Sequence, residues 1–389
     1  MGRLRLTQLV KVTANLNKSM HHKQGRNSVL IFDLILASVC IVLACFTICV
    51  FCILKQLRMR VEKDEEEENS MHKCAPTLAF TEVEKATDGF TNRRLLGRGR
   101  YGSVYKAIFP DGQVMAIKRI DPSQVLRFAG KPTEIFSFSA EIRALSRAHH
   151  PNIVPLIGYC EAPGERILAM PFQPGKSLQY HLHEGGVLFG WSQRVKILYE
   201  TALGIEYLHE GTAPFIIHGN LKPSNVLLDS TWSARIVDFG LAFLAPPNQM
   251  SGTLGYLDPE YYTDLNLAKA SDMYSFGVLM LEMLSGRPCF GGDERKYIVD
   301  WAVPLIMASR TGEVLDPKLG VPRNVEPLIR MTQLACRCVK RLRKDRPTIL
   351  EVVVVLNKIE MDMAAEMDSP NRFSSAYKMS PSRLLVYFA

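Results

Sequence analysis

The chain has 389 residues, 47% of them apolar, and a formal charge of +8. That is too much core-forming material for a disordered protein and enough for a membrane element plus one large two-lobed domain. The positive excess does not imply a nucleic-acid partner. Arg3, Arg5, Lys11, Lys18, Lys23 and Arg26 crowd the first 28 residues and the remainder is close to balanced.

In chain order, a basic segment over 1–33 precedes a run from Leu34 to Leu54 that carries no charge. As a helix it would cover roughly 31 Å, the thickness of a hydrocarbon core, and it is read as a single transmembrane span. Lys55, Arg58, Arg60 and Lys63 on its C-terminal flank favour a cytosolic C-terminus, with the plasma membrane as the expected location. Asn17-Lys18-Ser19 is then a glycosylation sequon on the outer side. Residues 55–79 include five consecutive acids, Asp64 to Glu68, which repel one another and predict an extended linker. Residues 80–359 alternate strand-like and helix-like patterning without repeats, and 360–389 read as a flexible tail. Of the nine cysteines, Cys40, Cys45, Cys49 and Cys52 fall inside the apolar run and the other five lack metal-like or paired spacing, so neither zinc nor a disulfide is expected.

Within 80–359, LLGRGRYGSVYKA sets Gly97, Gly99 and Gly102 between two strand-like stretches, where a hairpin without side chains can approach phosphate oxygens. Taken alone, such a hairpin is more often a simple turn. VMAIKRI then places Lys118 in a β-forming run, where a buried ammonium needs an anion: a nucleotide phosphate, or Glu141 from the helix-like SAEIRALSRA.

Gly97, Gly99, Gly102 and Val104, then Ala116-Ile117-Lys118, Glu141, His218-Gly219-Asn220, Asn225, Asp238-Phe239-Gly240, Pro259-Glu260, Asp272 and Arg346 resemble in order and spacing the protein kinase signature over roughly residues 90–358. The phrases FTEVEKATDGF, HPNIVPLIGYC, GTLGYLDPEYY and SDMYSFGVLMLEMLSGRP are similar to those of plant receptor-like kinases, and Lys222 resembles the serine/threonine branch. The resemblance implies an α+β fold with a small β-rich N-lobe and a larger α-helical C-lobe. It implies ATP and Mg2+ as ligands. Gly97, Arg98, Gly99, Gly102, Val104, Ala116, Lys118, Glu141, Met170, Pro171 and Gln173 would line the nucleotide site. Asn225 and Asp238 would hold the metal and Lys222 would face the γ-phosphate. Pro259-Glu260 and Arg346 would supply a structural ion pair, and Asp272 would anchor the catalytic loop.

Asn220 departs from the pattern. It stands where relatives carry the aspartate that receives the substrate proton, and an amide takes no proton near neutral pH. General-base loss typically costs about 10²- to 10⁴-fold. Gly219 replaces the arginine that clamps a phosphorylated loop in many relatives, and Asn248 lies near the usual phosphorylated threonine. The expectation is a membrane-anchored, ATP-binding signalling pseudokinase or scaffold whose partner is another kinase or a receptor complex. The alternative is a serine/threonine kinase of reduced rate.

Overall fold

The computed structural model describes residues 75–99, 102–121, 142–239, 252–291 and 296–368, with Lys55 and Phe138 as isolated positions. The Leu34–Leu54 run lies outside the described residues, and among those described no helix is long and apolar enough to cross a membrane. Every element below belongs to the unit Lys73–Ala389.

The N-terminal part is one antiparallel sheet of β1 (Leu95–Gly99), β2 (Gly102–Ile108), β3 (Val114–Ile120), β4 (Gly158–Ala162) and β5 (Glu165–Pro171), in the order β1-β2-β3-β5-β4. The two-residue period of β3 sends Met115 and Ile117 into a small core with Ala107, Ile167 and Ala169. Helix α1 (Phe80–Ala86) adds Val83 and Ala86 to that core. Ala116 and Lys118 therefore belong to the opposite face of β3, with Ala116 paired to Met170 across β5. Residues before α1 cover the free edge of β4, with Leu78 N–H donating to Tyr159 O at 2.7 Å and Tyr159 N–H to Pro76 O at 3.0 Å. The polar edge of the sheet is thereby paired, by residues that composition assigned to the linker.

The larger part is helical. Helix α2 (Leu178–His183) leads to α3 (Trp191–Glu206), whose Val195, Leu198, Ala202 and Ile205 fall at helical spacing on one buried face. The hairpin β6 (Val226–Leu228) and β7 (Ala234–Ile236) follows, then α4 (Tyr261–Asp264) and α5 (Lys269–Ser285). Ser271 to Ser285 of α5 are all buried, which is how a helix at the centre of a lobe behaves. The short pair β8 (Phe290–Gly291) and β9 (Lys296–Tyr297) precedes α6 (Ile298–Met307), α7 (Glu326–Cys338) and α8 (Ile349–Asp368). Helix α8 continues through 360–368, residues the sequence reading gave to the tail, because no breaker interrupts it and Met363 is buried against the core. The two-lobed, β-rich and α-helical architecture expected from the sequence is what forms.

Candidate functional site

Between the sheet and the helices, β3 delivers Lys118 and the turn after β7 delivers Asp238. Lys118 Nζ lies 3.1 Å from Asp238 Oδ1, with the lysine side chain only 7% exposed. Burial acts to raise the Asp238 carboxyl, but Lys118, His218 and Lys222 outweigh it and hold the group below its ordinary range. Asp238 has φ +59°, a left-handed conformation that a non-glycine residue adopts at a cost. Phe239 beyond it is buried, its ring edge-on to that of His218.

The glycine hairpin contributes space. Among the described residues, a Cβ on Gly97 would meet nothing within 4 Å and one on Gly99 only a carbonyl at 3.8 Å, so these do not require the two positions to be bare. Gly102 is different. At φ +157° its Cβ would lie 2.1 Å from the Arg119 carbonyl of β3, so this glycine serves the strand pairing. Val104 pairs with Lys118 across β2 and β3. Arg98 is exposed and donates to Asn92 Oδ1 at 3.0 Å. Met170 packs with Val154 and Val237, and Leu227 borders them, forming an apolar wall. Gln173 Nε2 donates to the Pro171 carbonyl at 3.3 Å, the acceptor expected for adenine. Glu141 and Gly240 lie outside the described residues.

Asn225 and Asp238 are brought close by the backbone bond from Val237 N–H to Asn225 O at 3.0 Å. Asn225 Nδ2 donates to the Asn220 carbonyl at 2.8 Å, and among the described residues Oδ1 has only a 3.5 Å contact from Ser224 Oγ. A carboxylate and an amide oxygen are hard donors suited to a divalent cation that keeps its waters and phosphate oxygens as remaining ligands. Among the described residues no cluster of three His, Cys, Asp or Glu side chains competes for such an ion. The residues present fit both groups.

The loop carrying Asn220 hangs from α5. Asp272, fully buried, accepts from the backbone N–H groups of His218 and Gly219, each at 2.8 Å, and from His209 Nε2 at 2.8 Å. Burial pushes its carboxyl up, and these bonds outweigh that and keep it low, as an anchoring carboxylate requires. Burial lowers the His218 imidazole, whose Nδ1 accepts from Asn220 N–H at 3.3 Å. Asn220 Oδ1 accepts from Thr253 Oγ1 at 3.0 Å, and Thr253 Oγ1 accepts from Lys222 Nζ at 3.0 Å. Sequence alone did not mark Thr253, although it stands in the GTLGYLDPEYY stretch.

The structural ion pair differs from expectation. Arg346 donates to Asp258 Oδ1 at 2.7 Å rather than to Glu260, whose carboxylate instead accepts from the Arg343 backbone N–H at 2.5 Å. Asp258 Oδ1 also accepts from Glu260 N–H at 3.0 Å, a local turn that aims the Asp258 carboxylate inward. Arg343 joins the same cluster, bonding Asp258 Oδ2, Asp264 and the Asn266 carbonyl.

With this arrangement in view, residues 90–355 match the family described as Protein kinase domain. The chain belongs to the protein kinase family. The kinase is 39% identical over 294 residues to the proline-rich receptor-like protein kinase PERK7 of Arabidopsis thaliana, covering 72% of this chain and 41% of that protein. It is 36% identical over 312 residues to the putative serine/threonine-protein kinase-like protein CCR3 of the same plant, covering 72% and 38%. It thus spans about two fifths of the length of these curated relatives. Among solved structures it resembles the pseudokinase domain of BIR2, an immune regulator of the RLK/Pelle family, with TM-score 0.64 and 28% identity over 76% of this kinase and 94% of that chain. Its similarity is to the receptor-like serine/threonine kinases, and ATP with a divalent metal is the ligand class of such a cleft.

Proposed function

We propose that this kinase is a membrane-held, nucleotide-binding module that has lost most of its phosphotransfer rate and signals as a pseudokinase or scaffold. One observation carries the reading. Lys118 lies 3.1 Å from Asp238 and a backbone bond holds Asn225 near them, a set suited to phosphate and metal, yet the side-chain oxygen of Asn220 is engaged by Thr253 and the rest of that side chain is an amide nitrogen. ATP with Mg2+ is the proposed ligand, with Lys118 on the α- and β-phosphates, Lys222 toward the γ-phosphate and the oxygens of Asn225 and Asp238 on the metal. Gly97, Gly99 and Gly102 would cover the phosphates, and Ala116, Met170 and Pro171 would bound the adenine.

In this reading the Leu34–Leu54 helix crosses the plasma membrane once, 1–33 lies outside, 55–79 is the linker and the domain begun at 80 lies in the cytosol, followed by the tail. The partner is another kinase or a receptor complex. The immune-regulatory description of BIR2 supports that class of partner. A serine/threonine kinase of reduced rate is the second reading. It is favoured by the unbroken link from Lys222 through Thr253 to Asn220, because phosphoryl transfer depends chiefly on positioning and metal charge. The deciding experiment is transphosphorylation of a serine/threonine peptide library by the purified full chain in detergent, wild type beside Asn220→Asp. Robust wild-type transfer that disappears in Lys118→Ala would select the second reading.

A further inference from the structure

We infer that Thr253 fixes the side chain of Asn220 so that the group left for a substrate hydroxyl is a hydrogen-bond donor, inverting the polarity of the position as well as removing its basicity. The inference rests on the nucleotide-binding reading above and concerns this chain's own residues.

The polarity is set at Lys222. An ammonium only donates, so Thr253 Oγ1 receives the bond from Lys222 Nζ at 3.0 Å and must pass its own proton onward. The acceptor within reach is Asn220 Oδ1, also at 3.0 Å. Turning the amide over would aim Nδ2 at a hydroxyl oxygen that already accepts from lysine, and would strand the threonine proton. The network therefore runs one way, from Lys222 to Thr253 to Asn220.

The backbone of Asn220 is held as firmly. Its N–H donates to His218 Nδ1 at 3.3 Å and its carbonyl accepts from Asn225 Nδ2 at 2.8 Å. One polar atom of Asn220 then remains without a partner among the described residues, and it is the donor Nδ2. An aspartate here would satisfy Thr253 with one oxygen and keep the other as an acceptor for an incoming O–H. Asparagine has no second oxygen.

A serine or threonine hydroxyl meeting Nδ2 must accept from it and turn its own proton elsewhere. In any residual transfer, the hydroxyl oxygen forms its bond to the γ-phosphorus while the bond to the β,γ-bridging oxygen breaks. ADP leaves with that electron pair, and the hydroxyl proton goes to a non-bridging oxygen of the transferred phosphoryl group. Residue 220 receives nothing. Thr253 is thus a positioning residue with opposite consequences in two backgrounds: it aims a useful oxygen when residue 220 is aspartate and withholds one when it is asparagine.

The test is a double-mutant cycle on the full chain in detergent, using labelled Mg-ATP and a mixed serine/threonine peptide library. Thr253→Ala should raise transfer by the wild-type chain, because the amide can then turn its oxygen outward. The same change should lower transfer by Asn220→Asp about tenfold, the worth of roughly one well-placed hydrogen bond. Thr253→Ser, which keeps the hydroxyl, should behave as Thr253 in both. A loss of similar size in both backgrounds overturns the inference.

A second readout does not depend on turnover. With selective 15N-asparagine labelling, the Asn220 side-chain NH2 resonances are those that vanish in Asn220→Asp. They should be a single sharp pair in the wild type, broaden or split in Thr253→Ala as the amide takes two orientations, and return in Thr253→Ser. An unchanged pair in Thr253→Ala overturns the inference even if no transfer is detectable. Silence of Asn220→Asp with Mg-ATP binding intact would sink the base-loss reading instead, and the amide resonances would then decide the polarity alone.

Discussion

Arg346 and Asp258 form a fully desolvated pair, 2.7 Å apart with side chains 0% and 1% exposed. Arg346 also donates to the carbonyls of Lys340, Arg341 and Ala270, so the guanidinium ties the activation segment to the start of α5 and to the chain before α8. Removing one partner of such a pair leaves a buried charge and typically costs about 3–5 kcal/mol. Asp258→Ala and Arg346→Ala should each lower stability by that order in urea unfolding. Glu260→Ala, which loses one bond to a backbone N–H, should cost less than either. Equal losses for Glu260 and Asp258 would contradict the pairing described.

Mg-ATP should raise the melting temperature of the chain, since a ligand selective for the folded state contributes about 2.7 kcal/mol at a hundred times its Kd. Lys118→Ala and Asp238→Ala should abolish the shift. Each also breaks the 3.1 Å ion pair between them, so the ligand-free midpoints will fall as well and the ligand-induced difference is the quantity to compare. A wild-type chain unmoved by millimolar Mg-ATP would leave a kinase fold serving only as a tether.

Asn220→Asp should gain phosphotransfer by up to the ~10²- to 10⁴-fold that a general base is worth. Gly219→Arg should not add to it by itself. Gly219 has φ +73°, where a side chain costs roughly 1–2 kcal/mol. The arginine would therefore lower the melting temperature, and it would find a clamp target only if an acidic group were also supplied near Asn248. A gain in activity from Gly219→Arg alone would show that the missing clamp, rather than the base, limits the rate.

Asp229 closes the turn between β6 and β7. Burial acts upward on its carboxyl, but donation from Thr231, Ser233 and Arg235 outweighs it and holds the group at about 2 against an ordinary 3.8. The folded value is depressed, so the contribution is complete above pH 3.8 and is lost as the pH falls through about 2. Partial solvent screening holds the net contribution to about 1 kcal/mol. Asp229→Asn should lose roughly that much near neutral pH, and the gap between variant and wild type should narrow in urea titrations carried toward the acid limit. A gap independent of pH would mean that the turn does not need the charge.

If the Leu34–Leu54 run spans the membrane with the kinase in the cytosol, chains translated with microsomes should have their kinase domain digested by added protease without detergent. Protection that ends only on adding detergent would reverse the topology.

The residues of the proposed nucleotide site stand out along the chain because each belongs to a short local pattern. Glycines mark a hairpin that leaves space for a ligand, Lys118 is an ammonium in a β-forming run, and Asn220 is conspicuous as an amide in a loop where, apart from it and Gly219, the kinase pattern is kept. Apolar periodicity marked strand-like and helix-like stretches, since burial of one face of a strand or helix is written into residue spacing, while the β-rich and α-helical lobes were expected from the kinase resemblance. What Asn220 does with its two side-chain atoms was not legible. Its partner Thr253 lies 33 residues away, and the direction of their bond depends on Lys222 reaching the same hydroxyl. The choice between Asp258 and Glu260 for Arg346 was equally hidden. Both are carboxylates, two residues apart and more than eighty from the arginine, and spacing cannot rank them. The turn before α4 decides it, aiming one carboxylate into the lobe and leaving the other to a backbone N–H, a matter of direction that exists only once the chain is folded.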